Sequence, residues 1–397
     1  MDDKIENEVE DVTEDDLSLD HETFTYSANS NISSSKRSSG NGGSFIYIII
    51  GVGILIFIIV ILVVVANSGK SSSYSEVESK MISGAKRYYN DNESLLPEHD
   101  GGFTKVDVST LVSGEYIKPL SDYFKGVQEC TGYVEVYNIN DDYSYFPTLN
   151  CGSYSTKKLS DKIISDGVVD AGSGLYHING EYVFRGEFPN NFVSFDGKKW
   201  RIIKINDDKS IKMILLDKDI DRGVWDDRYN SSNQSNSGIN DFRVSRLLEF
   251  LKDSYTSNKF VSKKNTSLLV KRPWCIGKFT QEDVLISSVD SCSDTYDDLY
   301  IGLVTVHDVL GASIDSNCTN LYDGECTNYN YFTYVRSTWT LNASTDKTYK
   351  VFNMNGGSIY AKDASGDSYI RAVINVNSNV VVDKGTGTEK DPYVIGD

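Results

Sequence analysis

Cys130-Thr-Gly-Tyr-Val-Glu-Val-Tyr-Asn-Ile-Asn140-Asp141-Asp-Tyr-Ser-Tyr-Phe-Pro-Thr-Leu-Asn-Cys151 is the stretch on which the fold turns. Two runs rich in Tyr, Val and Phe flank a turn-prone Asn-Asp pair, which predicts a β-hairpin. Cys130 and Cys151 stand equally far from the midpoint between Asn140 and Asp141. Equidistant positions of an antiparallel hairpin face each other with Cβ atoms roughly 4.5–5.5 Å apart, close to disulfide reach. A Cys130–Cys151 bridge is therefore expected.

A bridge needs an oxidising compartment, and the sequence before the hairpin supplies a route to one. All six cysteines (Cys130, Cys151, Cys275, Cys292, Cys318 and Cys326) follow the apolar run Phe45–Ala66. That run is uncharged, and at about 1.5 Å per residue it would reach roughly 33 Å, the thickness of a hydrocarbon core. It predicts one transmembrane helix, and the one-sided cysteines place the N-terminus inside and the C-terminal part outside. Residues 1–44 read as a disordered acidic cytoplasmic tail, crowded with Asp and Glu and then with Ser, Asn and Gly. Residues 67–73 read as a linker. Tyr74, Val77, Met81, Ala85 and Tyr88 recur at helical spacing and predict an amphipathic helix over about 74–90. A second short helix is expected near Asp107, and together with the hairpin these segments make a small α/β module over 74–152.

Beyond the hairpin, residues 153–170 read as a connector, and residues 171–397 as a mostly β extracellular domain with one or two helices. Trp200-Arg-Ile-Ile-Lys-Ile and Ile211-Lys-Met-Ile-Leu-Leu flank Asn206-Asp-Asp-Lys, a second hairpin. Phe242, Leu247, Leu248 and Leu251 mark one helix within 239–255. Strands are expected at Tyr300–Val306, Thr338–Leu341, Tyr349–Met354, Ile370–Val376 and Val380–Asp383. The local choice for the later cysteines is Cys275–Cys292 with Cys318–Cys326. The expected class is α+β.

Two resemblances attach to these residues. The stretch 74–151, with Tyr88-Tyr89, Leu111-Val112-Ser-Gly-Glu-Tyr-Ile117 and its paired cysteines, resembles the globular part of pilin-like and pseudopilin-like proteins of low-GC Gram-positive bacteria. That likeness implies self-assembly through the first module. Residues 171–397 resemble an uncharacterised extracellular domain of the same bacteria, through Tyr182-Val-Phe-Arg-Gly, Pro189-Asn-Asn, Trp200-Arg-Ile-Ile, Trp339-Thr-Leu, Ile370-Arg-Ala-Val-Ile-Asn-Val and Gly385-Thr-Gly-Thr-Glu-Lys-Asp-Pro-Tyr393. The order of these pieces is also distantly similar to C-type-lectin-like folds, including the sulfatase-modifying type. A lectin-like fold implies a binding surface; activity does not transfer with fold.

The residues that could carry chemistry are few. A net charge of −18 without a basic stripe argues against nucleic acid. The four histidines His21, His99, His177 and His307 share no zinc-ligand spacing, and no GxSxG, SxxK, Walker A or GxGxxG sequence is present. No catalytic residue is expected. Asp217, Asp219 and Asp221 alternate on a turn and could converge on Ca²⁺, the one cofactor the sequence leaves open. Against that, Arg222 and Arg228 stand where an EF-hand loop wants Gly and Glu, so a solvated strand end is the competing reading. Asp290, Asp294, Asp297 and Asp298 around Cys292 have the same two readings. Tyr322, Tyr329, Tyr331 and Tyr334 lie in a polar stretch and suit an exposed loop for glycan or protein ligands, because tyrosine pairs an apolar face with a hydroxyl. Core tyrosines are the alternative, and Trp200, Trp225, Trp274 and Trp339 are expected as core anchors. The expectation is a membrane-anchored, non-enzymatic surface protein that binds a glycan or protein. Its rivals are a sensor signalling to the acidic tail and an envelope enzyme using acids among Asp217, Asp221, Asp226 and Asp227.

Overall fold

The structure is a computed structural model and describes residues 72–99, 102–124, 129–139, 142–216, 221–285, 291–315 and 330–396, the side chains of Ile139 and Tyr334 excepted. Helix α1 (Tyr74–Asp91) starts at Ser73, whose hydroxyl caps the Glu76 amide, and buries Val77, Met81, Ala85 and Tyr89 on one face. That face lies on an antiparallel sheet of β1 (Phe103–Asp107), β2 (Cys130–Ile139), β3 (Asp142–Cys151) and β4 (Tyr154–Ser155). The short α2 (Val108–Ser113) closes this first core with Val108 and Leu111. In the hairpin Cys130 pairs with Cys151 and Ile139 with Asp142, and the Cys130–Cys151 disulfide closes its base.

The second core follows α3 (Leu159–Asp166), which lies in the stretch expected to be only a connector. Its larger sheet uses β5 (Gly174–Ile178), β6 (Glu181–Arg185), β7 (Phe192–Phe195), β8 (Lys198–Ile205) and β9 (Ile211–Leu215). β8 and β9 form the expected hairpin, with Trp200 opposite Leu215 and Ile205 opposite Ile211. β9 is buried at all five positions, which is why its sequence reads as an apolar run interrupted only by Lys212 rather than as an alternation. After β10 (Asp221–Gly223) the chain forms α4 (Arg246–Thr256), capped by Ser245. Short pieces follow: β11 (Trp274–Cys275), β12 (Lys278–Phe279), α5 (Gln281–Leu285), β13 (Thr295–Tyr296), β14 (Ile301–Gly302) and α6 (Val306–Gly311). β15 (Thr338–Ser344), β16 (Lys350–Asn355), β17 (Ser358–Asp363), β18 (Ser368–Ile370), β19 (Val373–Val376) and β20 (Tyr393–Ile395) complete the chain. The larger sheet runs β14-β19-β9-β8-β6-β5, with β7 beside β8 and β20 beside β7. A second sheet runs β10-β18-β15-β16-β17, with β12 alongside β15, and β11 pairs with β13.

The expected class needs correction. The described chain is mostly β, spread over four sheets, with few and mostly short helices. Among the described residues no helix is long and apolar enough to cross a membrane. The longest, α1, has 18 residues and carries Glu76, Glu78, Lys80, Lys86 and Arg87. The expected transmembrane segment 45–66 and the tail before it lie outside the described residues. Residues 71–397 form one compact unit with two apolar cores. The hairpin serves both. Val134, Val136 and Leu149 face the first core, while Phe146 belongs to the second. Ser144 donates a hydrogen bond to the Ser267 carbonyl at 2.5 Å across this junction.

Individual strands also shift. Tyr300–Val306 yields only β14 before the capping box at Thr305 starts α6, because Asp308 takes the Thr305 amide and hydroxyl. Ile370–Val376 breaks in two at Arg371-Ala372. There the Arg371 guanidinium donates to the Leu215 carbonyl. Val380–Asp383 contributes only an isolated bridge from Val381 to Lys158.

Among the described residues the second core encloses an ion pair of Lys212 and Asp308. Lys212 of β9 donates to both carboxylate oxygens of Asp308 at 2.8 and 2.6 Å, with side chains 10% and 5% exposed. Burial pushes the Lys212 ammonium below its ordinary value against the pull of Asp308. For Asp308 burial pushes upward, but Lys212 and the Thr305 amide outweigh it and hold the carboxyl below its usual range. All four tryptophans are buried in this core, and each indole donates to a backbone carbonyl: Trp200 to Phe195, Trp225 to Thr340, Trp274 to Leu299 and Trp339 to Gly223.

Candidate functional site

Long connections between short strands would splay without internal ties, and here the ties are buried asparagines. Asn240 donates to the carbonyls of Ser344, Lys347 and Lys350. Asn342 donates to the carbonyls of Cys275 and Gly277 and accepts from the Val306 amide. These bonds bring the 240–245 turn, the 275–278 segment and the end of β15 to one place. The result is a cleft of about 370 Å³ in the second core's surface, within the usual range for small-ligand sites.

Its floor is apolar, made by Phe242 and Ile276. Phe242 is fixed against Trp225 and Tyr296, with ring centres 6.1 and 5.7 Å apart. Ile276 is held by its amide on the Asp294 carbonyl, and the neighbouring Cys275 is bridged to Cys292. The rim is polar and charge-balanced. Arg243 makes a two-pronged bond to Asp294 at 2.6 and 2.8 Å and also donates to the Thr295 carbonyl. This lowers the Asp294 carboxyl and raises the Arg243 guanidinium from their ordinary values. Asp241 caps the turn through the Arg243 amide, and Lys278 donates to the Asn240 side chain at 2.9 Å. Ser293 and Thr345 complete the lining.

Two further hollows lie on the first module. One, of about 760 Å³, is lined by α2, Pro119–Ser121 and Glu129–Gly132. The other, about 450 Å³, is framed by Arg87, Tyr116 and Tyr123.

The predicted site residues distribute unevenly. Tyr331 is 1% exposed and packs under the Arg201 guanidinium and beside Phe332, a core position rather than a loop tip. Burial pushes its hydroxyl well above the usual tyrosine range. Tyr322, Tyr329 and the Tyr334 side chain lie outside the described residues, as do Asp217, Asp219, Asp290, Cys318 and Cys326. Asp221 stands in β10 and pairs with Lys259 at 3.2 Å. No group of three or more His, Cys, Asp or Glu residues suited to a metal occurs among the described residues. Asp298 is paired with Lys271 at 2.8 Å. Of the acids offered for an envelope enzyme, the described ones, Asp221, Asp226 and Asp227, each have a basic partner. Asp226 is fully buried and accepts from Arg228 and from the amides of Ile239 and Arg246, whereas Asp227 faces Arg246 at 3.5 Å. A carboxylate so saturated is a loop anchor. The cleft residues Arg243, Lys278 and Thr345 are separated by 35 and 67 positions in sequence (243 to 278, 278 to 345) and carry no shared motif. Only Asp294, one of the acids around Cys292, signals the place.

Comparison of the chain with protein-family models, with curated proteins and with solved structures finds no match to any of them.

Proposed function

We propose that this chain is a membrane-anchored bacterial surface protein whose region 171–397 binds a glycan or protein ligand outside the cytoplasm. The observation that carries the reading is the cleft walled by Arg243, Asp294 and Lys278 over Phe242 and Ile276. Apolar floor and convergent polar rim are the general composition of ligand sites. The two disulfides among the described residues support the compartment, since such bridges persist in oxidising surroundings. Their positions support the mechanism: Cys275–Cys292 pins two cleft walls together, so the site is held in shape before ligand arrives.

The test uses the full-length chain in detergent, screened against arrays of glycans, cell-wall fragments and host surface proteins. Saturable binding is expected, with none for a variant carrying bulky substitutions in the cleft. Absence of binding across all three arrays would remove the reading.

A further inference from the structure

We infer that the cleft beside the Cys275–Cys292 bridge takes a neutral, hydroxyl-rich ligand, an uncharged glycan, and not an acidic or basic one. The inference rests on the binding function proposed above and specifies its ligand class.

The argument is a balance of charges and of hydrogen-bonding capacity. Two cations, Arg243 and Lys278, and two anions, Asp241 and Asp294, border the same small cleft. An acidic ligand would have to displace or sit beside two carboxylates, on a chain whose net charge is already −18. A basic ligand would gain from that charge at long range but would meet the guanidinium and the ammonium at contact. A hydroxyl group avoids both conflicts because it donates and accepts at once.

The rim has capacity of both kinds to offer. Of the five N–H groups of a guanidinium, Arg243 spends three, two on Asp294 and one on the Thr295 carbonyl. Lys278 spends one of three on Asn240. The carboxylates of Asp241 and Asp294 and the hydroxyls of Ser293 and Thr345 supply acceptors across the gap. The Arg243–Asp294 pair is 47% and 50% exposed, so solvent screens it and its components can share a ligand hydroxyl at little cost. Phe242 and Ile276 below provide an apolar floor for ring carbons. With the tie between Asn240 and Lys278 fixing one wall, the polar atoms are presented on a rigid frame.

The experiment measures binding of the full-length protein to four probe sets: neutral oligosaccharides, oligosaccharides bearing carboxylates or sulfates, lysine-rich peptides, and surface proteins. Each is read at low and high salt. A neutral oligosaccharide should bind with affinity that changes little between the two, because no net charge is neutralised. Arg243→Gln and Asp294→Asn should each weaken it by about tenfold or more, the scale of losing hydrogen bonds from a charged group. Lys278→Met is the third variant and keeps the test available if one of the others fails to fold. Preference for an anionic or cationic probe, with affinity falling as salt rises, would overturn the inference while leaving the surface-binding function standing. Neutral binding untouched by all three substitutions would overturn it by locating the site elsewhere. Silence of every probe set would instead remove the binding function itself.

Discussion

Replacing Lys212 by Met tests the account of the second core most sharply. Methionine keeps an unbranched stem of similar reach at a site packed near the Trp274 ring, whose centre is 5.2 Å from the ammonium. What is lost is the charge on two short hydrogen bonds to a carboxylate 5% exposed. Asp308 would retain the Thr305 amide and hydroxyl but no bonded cation, Lys204 acting on it only through space. Removing one partner of a buried pair costs about 3–5 kcal/mol, most of it the penalty of the orphaned charge. Asp308→Asn should cost a similar amount by stranding the lysine. The double variant should recover all but about 1 kcal/mol, so that the singles summed exceed the double by about 5–9 kcal/mol, the coupling energy of the pair. Acid should narrow the Lys212→Met deficit. The carboxyl of Asp308 is held low in the intact pair, so its contribution is present above the unfolded-state value and lost as pH falls. Without the lysine, burial dominates and the protonated form suits the site. Urea unfolding followed by tryptophan fluorescence is the assay, since all four tryptophans lie in this core. A single-variant cost under about 1 kcal/mol, or a double variant as unstable as the sum of the singles, would refute the reasoning.

Other consequences are as direct. Serine at Cys130 and Cys151 removes a closure spanning 21 positions and should cost about 3 kcal/mol on the chain-entropy scale, read as a lower urea midpoint. Glu78 of α1 is buried where the Tyr154 and Thr156 hydroxyls donate to it, and burial raises its carboxyl above the ordinary value despite those bonds. Its contribution is therefore fully present below the unfolded-state value and lost as pH rises through the raised one. Glu78→Gln should gain stability at pH 7 relative to wild type and flatten the melting-temperature profile between acid and neutral pH. Asn342→Ala strands the Cys275 and Gly277 carbonyls and the Val306 amide, and should cost about 3 kcal/mol with faster hydrogen exchange at Val306.

What could be read from residues alone was whatever depends on near neighbours. The hairpin register follows from the symmetric placement of Cys130 and Cys151, and the β8–β9 hairpin from two apolar runs around Asn206–Lys209. The face of α1 follows from its 3.6-residue spacing. Trp200, Trp225, Trp274 and Trp339 read as anchors because an indole is large and finds a carbonyl when buried. The excess of helix in the expected class rests on residues 45–66, outside the described residues, and on the periodic stretch of the first module. The body after residue 171 instead uses two- and three-residue strands, such as β11, β12 and β13, too short to show alternation. Tyr331 resembled a loop tyrosine because its neighbours are polar; its burial depends on Arg201, 130 positions away. The cleft was invisible for the same reason. Asn240 and Asn342 look like ordinary turn residues until their side chains are seen bridging segments up to 110 positions apart.

The clasp at the foot of the first hairpin also governs how the chain would respond to being pulled. In the proposed role, tethered at one end and attached to a ligand at the other, the chain would carry tension through its backbone. With Cys130 and Cys151 joined, the load bypasses the 21 peptide steps between them. Those steps could otherwise pay out up to about 70 Å of slack, at roughly 3.3–3.6 Å each. Under oxidising conditions the hairpin is thus inextensible, and a reductant would turn it into a reserve of length.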